Sequence, residues 1–161
     1  MNSEKIKLII SKFSDKVDFS DEDKVLLVKD VSSWFVIADF LKNDKDLVLD
    51  YLMCITAYDT GDSNNFGLAY NLHSTKLKHS LEIRLEFVDG TEIHSIESLW
   101  KAADWHEREA FDMMGVKIIN HPDMKRILLP EDWEGYPLRK NYETPEYYNG
   151  MPVPKDKSYW E

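Results

Sequence analysis

The chain has 161 residues, of which 30 are acidic and 20 are basic, so its formal net charge is −10 at pH 7. This balance argues against a surface for nucleic acid or an anionic membrane, because phosphates and acidic headgroups would be repelled across most of the molecule. Its single cysteine, Cys54, excludes an internal disulfide, a cysteine-built zinc site and an iron–sulfur cluster held by this chain, since each needs several thiolates.

The first half of the sequence predicts a mixture of helices and strands. A helix near the amino terminus is followed by an acidic turn at Asp18–Asp23, a strand at Lys24–Lys29 and a second helix from Ser32 or Ser33 to about Lys42. Three β-rich segments come next, at Leu47–Ala57, Phe66–His73 and Lys78–Val88. The last of them alternates apolar and charged residues, so one side of its sheet is expected to face solvent. This order predicts an α+β fold, a two-layer body with a mostly antiparallel mixed sheet packed by helices.

The pattern changes after residue 88. An Asp-Gly turn leads into a predicted strand at Thr91–His94. From Ser95 the apolar residues recur every three or four positions, which predicts a helix that ends at Gly115, where glycine commonly terminates a helix. Val116–Ile119 then predicts one more short strand.

Proline divides the chain after residue 121. All six prolines lie in the last 40 residues, where their spacing prevents a long helix or a central strand. We therefore expect a globular α+β body over residues 1–121 and an extended interaction tail over residues 122–161. The tail is rich in aromatic and apolar side chains, which include Trp133, Tyr136, Leu138, Tyr142, Tyr147, Tyr148, Met151, Val153, Tyr159 and Trp160. Such residues are expected either to wrap the body or to lie in a groove of another subunit, and the rigidity of proline favours the second alternative.

The densest group of charged residues occupies positions 105–112. His106-Glu107 resembles the start of the zinc motif His-Glu-x-x-His, but Ala110 stands where the second histidine is needed, which argues against a zinc protease. Glu109 and Asp112 could form an acid/base pair, although no nucleophile or oxyanion-hole signature accompanies them. A structural role is therefore favoured for this group.

In that structural interpretation, Arg108 pairs with Asp112 at i,i+4, while Glu107 and Glu109 meet basic groups elsewhere. The basic pairs Lys125-Arg126 and Arg139-Lys140 are the natural partners. A nucleotide site is disfavoured because no glycine-rich phosphate loop is present.

Two further residues have alternative interpretations. His121 precedes Pro122, and a hydrogen bond to nearby backbone is favoured there over a proton relay. Cys54 lies in an apolar run and is interpreted as a small buried hydrophobic residue.

The segment from Trp105 to Tyr142 closely resembles the signature of the C subunit of NADH-quinone oxidoreductase, respiratory complex I. The matching positions are Glu107, Arg108, Glu109, Asp112, Gly115, His121, Pro122, Arg126, Ile127, Leu128, Pro130, Glu131, Asp132, Trp133, Glu134, Gly135, Pro137, Leu138, Arg139 and Lys140. One position departs from the family: Asn120 replaces the usual glycine before the histidine. Asparagine is also tolerant of a left-handed backbone, so the corner is expected to survive.

The resemblance implies a hydrophilic subunit of the peripheral arm on the cytoplasmic side of the bacterial inner membrane. It implies no cofactor in this chain, with FMN, iron–sulfur clusters and quinone held by partner subunits. The implied partners are the quinone-site D subunit and the cluster-bearing B and I subunits, with no nucleic acid and no membrane span in this chain. The assembled enzyme would transfer electrons from NADH to quinone, coupled to proton translocation, whereas the isolated chain is expected not to be catalytic.

The residues expected to form an interface and structural network, which fixes the path of the tail, are Glu107, Arg108, Glu109, Asp112, His121, Pro122, Arg126, Trp133, Arg139 and Lys140. Two other functions stay open at this point. One is the homologous subunit of a membrane-bound hydrogenase or formate hydrogenlyase. The other is a stand-alone hydrolase that uses Glu109 and Asp112.

Overall fold

The computed structural model describes residues 3–20, 24–61 and 64–153 of the chain. Three helices occur in this part: α1 (Ser3–Phe13), α2 (Trp34–Asn43), which a short 3₁₀ turn (Val31–Ser33) precedes, and α3 (Ala103–Met114). Its strands are β1 (Val17–Ser20), β2 (Val25–Val28), β3 (Tyr51–Asp59), β4 (Asn65–Ser74), β5 (His79–Val88), β6 (Glu92–His94), β7 (Lys117–Ile119), β8 (Tyr147–Tyr148) and β9 (Met151–Pro152). The α+β class predicted from the sequence is confirmed.

Five strands form the main sheet in the order β1-β2-β5-β4-β3. Strands β2 and β5 run parallel and the other neighbours are antiparallel, as expected for a mostly antiparallel mixed sheet. The predicted alternation of β5 is confirmed, because its buried residues are Leu81, Ile83, Leu85 and Phe87. Strand β3 forms one edge of this sheet.

The helices bury their apolar faces against one side of the sheet. In α2 the buried positions recur at helical spacing, at Trp34, Ile37, Ala38 and Leu41. The ring of Trp34 lies 4.4 Å from that of Tyr70 in β4. Helix α3 contributes Ala103, Ala110 and Met114 to the same core. Each large apolar side chain removed from water in this way stabilises the fold by about 1.5–3 kcal/mol.

Some element boundaries differ from the sequence prediction. Strand β1 occupies part of the stretch interpreted as an acidic turn, because Val17 is buried and Asp18 forms an exterior ion pair with Lys29 at 3.1 Å. Residues 21–23 of that stretch lie outside the described part. The sequence predicts that the third helix starts near Ser95, whereas α3 begins at Ala103. Ser95 still belongs to the β6–β7 pair, because its N–H donates to the carbonyl of Ile119 at 2.9 Å.

Two left-handed residues define the end of α3 and the corner that follows it. Gly115 has φ +71° and donates its N–H to the carbonyl of Phe111 at 2.8 Å, so the predicted end of the helix is confirmed. Asn120 has φ +60°, as expected for an asparagine in place of glycine. These two residues turn the chain into β7 and then toward His121-Pro122.

The region predicted as a tail begins on the body. Residues 126–140 hydrogen-bond to α3, to Asp89 after β5 and to Asp59 at the end of β3, so this part follows the first of the two expected alternatives. Strands β8 and β9 then form a hairpin around Asn149 and Gly150, whose φ values are +48° and +76°. Residues 154–161, with the predicted anchors Tyr159 and Trp160, lie outside the described part. In the described ranges, no helix has the length and apolar character needed to cross a bilayer.

A comparison of two glycine substitutions tests how closely the tail packs on the end of α3. Gly115 and Gly90 both have positive φ, and alanine there costs about 1–2 kcal/mol from the backbone alone. A Cβ on Gly115 would lie 2.5 Å from the Tyr136 ring and 2.7 Å from Arg139 Nη2, whereas one on Gly90 meets nothing within 4 Å. We expect Gly115→Ala to lower the free energy of unfolding by at least about 1 kcal/mol more than Gly90→Ala, measured by urea denaturation. Equal losses would contradict this packing.

Candidate interaction site at the end of helix α3

The carboxylate of Asp112, in the last turn of α3, is fully buried and holds the start of the tail. Its Oδ1 accepts a hydrogen bond from Arg126 Nη1 at 2.7 Å. Its Oδ2 accepts three consecutive backbone N–H groups, from Ile127 at 3.0 Å, Leu128 at 2.7 Å and Leu129 at 3.0 Å. Three N–H groups that converge on one oxygen form an anion-binding concavity, so the carboxylate shapes the backbone of residues 127–129 around itself.

These donors set the charge of Asp112. Burial by itself would raise the pKa of this carboxyl, but the N–H groups of Leu129, Leu128 and Ile127, together with Arg126, hold the pKa below its ordinary value. The side chain is therefore ionised in the folded protein at neutral pH. A buried ion with this number of donors is compatible with folding, whereas the same ion without them would cost several kcal/mol.

Arg126 extends the contact from α3 to the next loop. Its Nη1 also donates to the carbonyl of Asp112 at 3.1 Å, and its Nη2 donates to the carbonyls of Trp133 at 3.1 Å and Gly135 at 3.4 Å. The planar guanidinium presents donors in a fixed fork, so one side chain fixes a helix end and a loop at the same time.

Arg139 makes a second set of contacts on the same helix end. Its Nε donates to the carbonyl of Met114 at 2.7 Å, and its two Nη atoms bind both carboxylate oxygens of Asp89 at 2.7 and 3.0 Å. The guanidinium carbon lies 4.6 Å from the centroid of Phe66 and 4.7 Å from that of Tyr136. The Tyr136 ring also faces Arg126 at 5.5 Å, so both guanidinium groups contact this ring.

Lys140 and Trp133 contact other parts of the molecule. The backbone N–H of Lys140 donates to Asp59 Oδ2 at 3.0 Å. This hydrogen bond and a second one from the Gly61 N–H lower the pKa of the Asp59 carboxyl. Trp133 Nε1 donates to the Tyr142 hydroxyl at 3.1 Å, and the Trp133 ring lies 5.1 Å from that of Tyr148 in the hairpin. The segment is thus attached to the body at several points between residues 126 and 142.

Glu107 is buried on the inner side of α3. Its Oε2 accepts from the Ser95 hydroxyl at 2.6 Å and its Oε1 accepts from the Ile96 N–H at 2.8 Å. Burial raises the pKa of this carboxyl to about 7, although both hydrogen bonds act in the opposite direction. The expectation that Glu107 meets one of the basic pairs Lys125-Arg126 and Arg139-Lys140 is therefore wrong, because a hydroxyl and an amide satisfy its oxygens and the basic group beside it is the imidazole of His121.

His121 lies next to this carboxyl with its side chain fully buried. Its Nδ1 accepts from the Asp123 N–H at 3.1 Å, which is the expected hydrogen bond to nearby backbone. Its Nε2 lies 3.3 Å from Asp104 Oδ1 and 4.0 Å from Glu107 Oε2. His121 thus connects the corner at Pro122 to the first half of α3.

The predicted pair between Arg108 and Asp112 is also wrong. Arg108 Nη1 lies 3.9 Å from Asp104 Oδ1, and its Nε donates to the carbonyl of Lys125 at 3.2 Å. Asp112 points instead toward the chain beyond residue 125, where backbone donors converge on it. A search for i,i+4 pairs cannot reveal such a partner.

The remaining predicted residues lie away from this network. Glu109 is exposed and lines a groove with Cys54 and His106. Cys54 is half-buried, so its interpretation as a buried residue is wrong, because it lies on the edge strand β3. Since Asp112 is buried under its four donors while Glu109 is exposed, the two do not present a carboxylate pair to a substrate.

Several members of the network carry no local signal in the sequence. Asp89 is marked only by its place in a turn, no pattern singles out Asp59 or Asp104, and Tyr136 is one of many tail aromatics. Within residues 3–20, 24–61 and 64–153, no group of three or more histidine, cysteine or acidic side chains is arranged to hold a metal ion.

The fold and this network are those of a chain that holds a long carboxyl-terminal segment against its own body. A profile for the family described as "Respiratory-chain NADH dehydrogenase, 30 Kd subunit" matches residues 27–148, and the chain belongs to this family. The match covers strands β3, β4 and β5 of the main sheet and the network around Asp112.

Curated relatives agree with the family match. The chain is 40% identical over 153 residues to the C subunit of NADH-quinone oxidoreductase from Chloroherpeton thalassium, covering 92% of this chain and 63% of that protein. It is 38% identical over 152 residues to the protein of the same name in Chlorobium phaeobacteroides, covering 91% and 92%. The J subunit of NAD(P)H-quinone oxidoreductase from Prochlorococcus marinus is 44% identical over 120 residues, covering 70% and 68%.

A solved structure has the same fold. It is a chain from the "Structure of the membrane-bound sulfane sulfur reductase (MBS), an archaeal respiratory membrane complex". The TM-score is 0.69, with 22% identity, and the match covers 87% of this chain and 84% of the other. At this identity the similarity establishes the fold.

The pKa of Glu107 predicts a specific pH dependence of stability. Because the pKa rises from 4.5 to about 7 on folding, the folded state retains a proton that the unfolded state loses, so the contribution of this carboxyl to stability is greatest below pH 4.5 and is lost as the pH rises to about 7. We expect wild type to lose roughly 3 kcal/mol more than Glu107→Gln over this window, measured by urea denaturation at several pH values. Parallel pH profiles for the two proteins would contradict the assignment.

Proposed function

We propose that this chain is a cofactor-free subunit of a complex I-type NADH:quinone oxidoreductase, where it holds neighbouring subunits together instead of carrying electrons. The observation that carries the proposal is the network at the end of α3, which uses its buried charges to fix the path of the carboxyl-terminal segment. Asp112 and the two guanidinium groups of that network are occupied by protein partners, so they are not free to act on a substrate.

The fixed segment presents apolar side chains to the exterior. Leu128, Leu138, Tyr147 and Met151 are each more than half exposed, although they lie on or beside the anchored backbone. Clusters of exposed apolar residues mark surfaces that other proteins cover. The family and the names of the relatives support neighbouring subunits of the same oxidoreductase as the proteins that cover them.

We further propose that these neighbours are the quinone-site D subunit and the cluster-bearing B and I subunits, on the cytoplasmic side of the bacterial inner membrane. FMN, iron–sulfur clusters and quinone belong to those partners in this proposal, and the chain supports electron transfer from NADH coupled to proton translocation. The net charge of −10 fits attachment through proteins better than through an anionic lipid surface.

A related membrane complex is the second candidate, with this chain as the homologous subunit of a hydrogenase or formate hydrogenlyase. The observation that favours it is the shared fold with a chain of the archaeal sulfane sulfur reductase complex. The stand-alone hydrolase has no comparable support, because Glu109 and Asp112 are not presented together.

Two matched pairs of exposed apolar residues test the assembly role. Replacement of Tyr147 and Met151 by serine in an affinity-tagged chain should reduce recovery of the other subunits at least tenfold. Replacement of Val36 and Leu77, which are also exposed but lie in the body, should leave recovery unchanged. The recovered partners also separate the two candidates. A flavin-bearing NADH-oxidising subunit would indicate the complex I-type enzyme, and a nickel-binding large subunit would indicate the hydrogenase or formate hydrogenlyase.

Equal recovery with both double variants would contradict a role for the tail in assembly. Absorption by a flavin or an iron–sulfur cluster that stays with the purified chain would contradict the cofactor-free proposal. Hydrolytic turnover by the purified chain alone would contradict the subunit proposal and support a stand-alone hydrolase.

A further inference from the structure

A groove runs along the outer edge of β3, beneath the side of α3. Its volume is about 280 Å³, and Cys54, Thr56, His106, Glu109, Met113 and Leu138 line it. The network around Asp112 does not use it, although Leu138 belongs to the anchored segment that forms one of its walls.

The backbone of β3 is itself part of the wall. Four consecutive residues, 54–57, line the groove, so it exposes the edge of the strand in addition to one of its faces. Strand β3 pairs with β4 on its other side and is the last strand of the sheet, and no strand in the described ranges pairs with its outer edge. An unpaired strand edge presents alternating N–H and C=O groups, which another extended backbone can satisfy.

The side chains around the groove define what kind of segment fits. Ile55 and Ala110 are buried and form an apolar floor, while Leu138 in its wall is more than half exposed. Glu109 is exposed on the α3 side of the groove, so its carboxylate lies next to any segment that binds there. The volume of about 280 Å³ lies just below the range of about 300–1,000 Å³ for small-molecule sites, which also favours a polypeptide.

We propose that this groove receives an extended segment of a neighbouring subunit, which adds a strand to β3 and places a lysine or arginine against Glu109. The segment would direct an apolar side chain toward Met113 and Leu138. The inference rests on the proposed function, since it requires that the chain is part of a larger assembly. A second copy of this chain is a poorer occupant because it would bring another net charge of −10 to the same acidic rim.

Cys54 provides a direct probe, because it is the chain's single cysteine and lines the groove. The thiol should react with a maleimide in the free chain and react at least tenfold more slowly in the assembled complex. A maleimide-benzophenone reagent placed on Cys54 and photolysed during assembly should cross-link to an extended partner segment with a basic residue, identified by mass spectrometry.

A charge reversal tests the basic contact. Glu109→Lys should reduce recovery of the complex at least tenfold and restore fast labelling of Cys54 in what is recovered. Asp15→Lys makes the same change in net charge at an exposed position between α1 and β1, at the opposite edge of the sheet, and should alter neither measurement.

The outcomes separate this inference from the proposed function. If the other subunits are recovered but Cys54 reacts as fast as in the free chain, the groove is not an interface and the subunit role stands. Cross-links to a second copy, or to residues 154–161 of this chain, would overturn the proposed occupant. If none of the other subunits is recovered with the tagged wild-type chain, the proposed function and the groove proposal both fall.

Discussion

The buried carboxylate of Asp112 is the contact on which the carboxyl-terminal half of this molecule depends. An ion removed from water is tolerated only when its partners replace the lost hydration, and here the partners are three backbone N–H groups and Arg126. Because these donors belong to residues 126–129, α3 and the following segment must fold together. Arg126 and Arg139 then fix the chain from Trp133 to Lys140, through carbonyl groups and through Asp89.

This arrangement makes part of the proline-rich region a rigid component of the body. Such a segment does not have to be ordered when a partner arrives, so the entropy cost of association is lower than for a flexible arm. The exposed apolar residues on the segment are held in place beforehand, as is the wall that Leu138 contributes to the groove along β3. A subunit whose proposed role is to position its neighbours benefits from this rigidity.

The features that sequence predicts well are local. The alternation of β5, the end of α3 at Gly115 and the left-handed Asn120 each follow from the preferences of a few adjacent residues. The hairpin around Asn149-Gly150 is not predicted although its turn signal is present, because the surrounding prolines indicate an extended chain.

The partners of the charged residues are predicted poorly for a physical reason. Spacing assigns Asp112 to Arg108 one turn away, whereas its donors come from up to 17 residues along the chain. Arg139 binds Asp89, 50 residues earlier, because the turn after β5 lies beside the end of α3. Spacing rules identify neighbours on one helix, and they carry no information about loops that meet only in the folded structure.

Amide hydrogen exchange of Ile127, Leu128 and Leu129 in the isolated chain tests the central claim most directly. If Asp112 anchors the segment without help from partners, these three amides exchange slowly in wild type and at least tenfold faster in Asp112→Asn. They stay slow in Asp123→Asn, which weakens only an exposed ion pair with Lys125. Unprotected exchange at all three amides in wild type, beside protected amides in β4 and β5, would show that the anchor does not form in the free subunit.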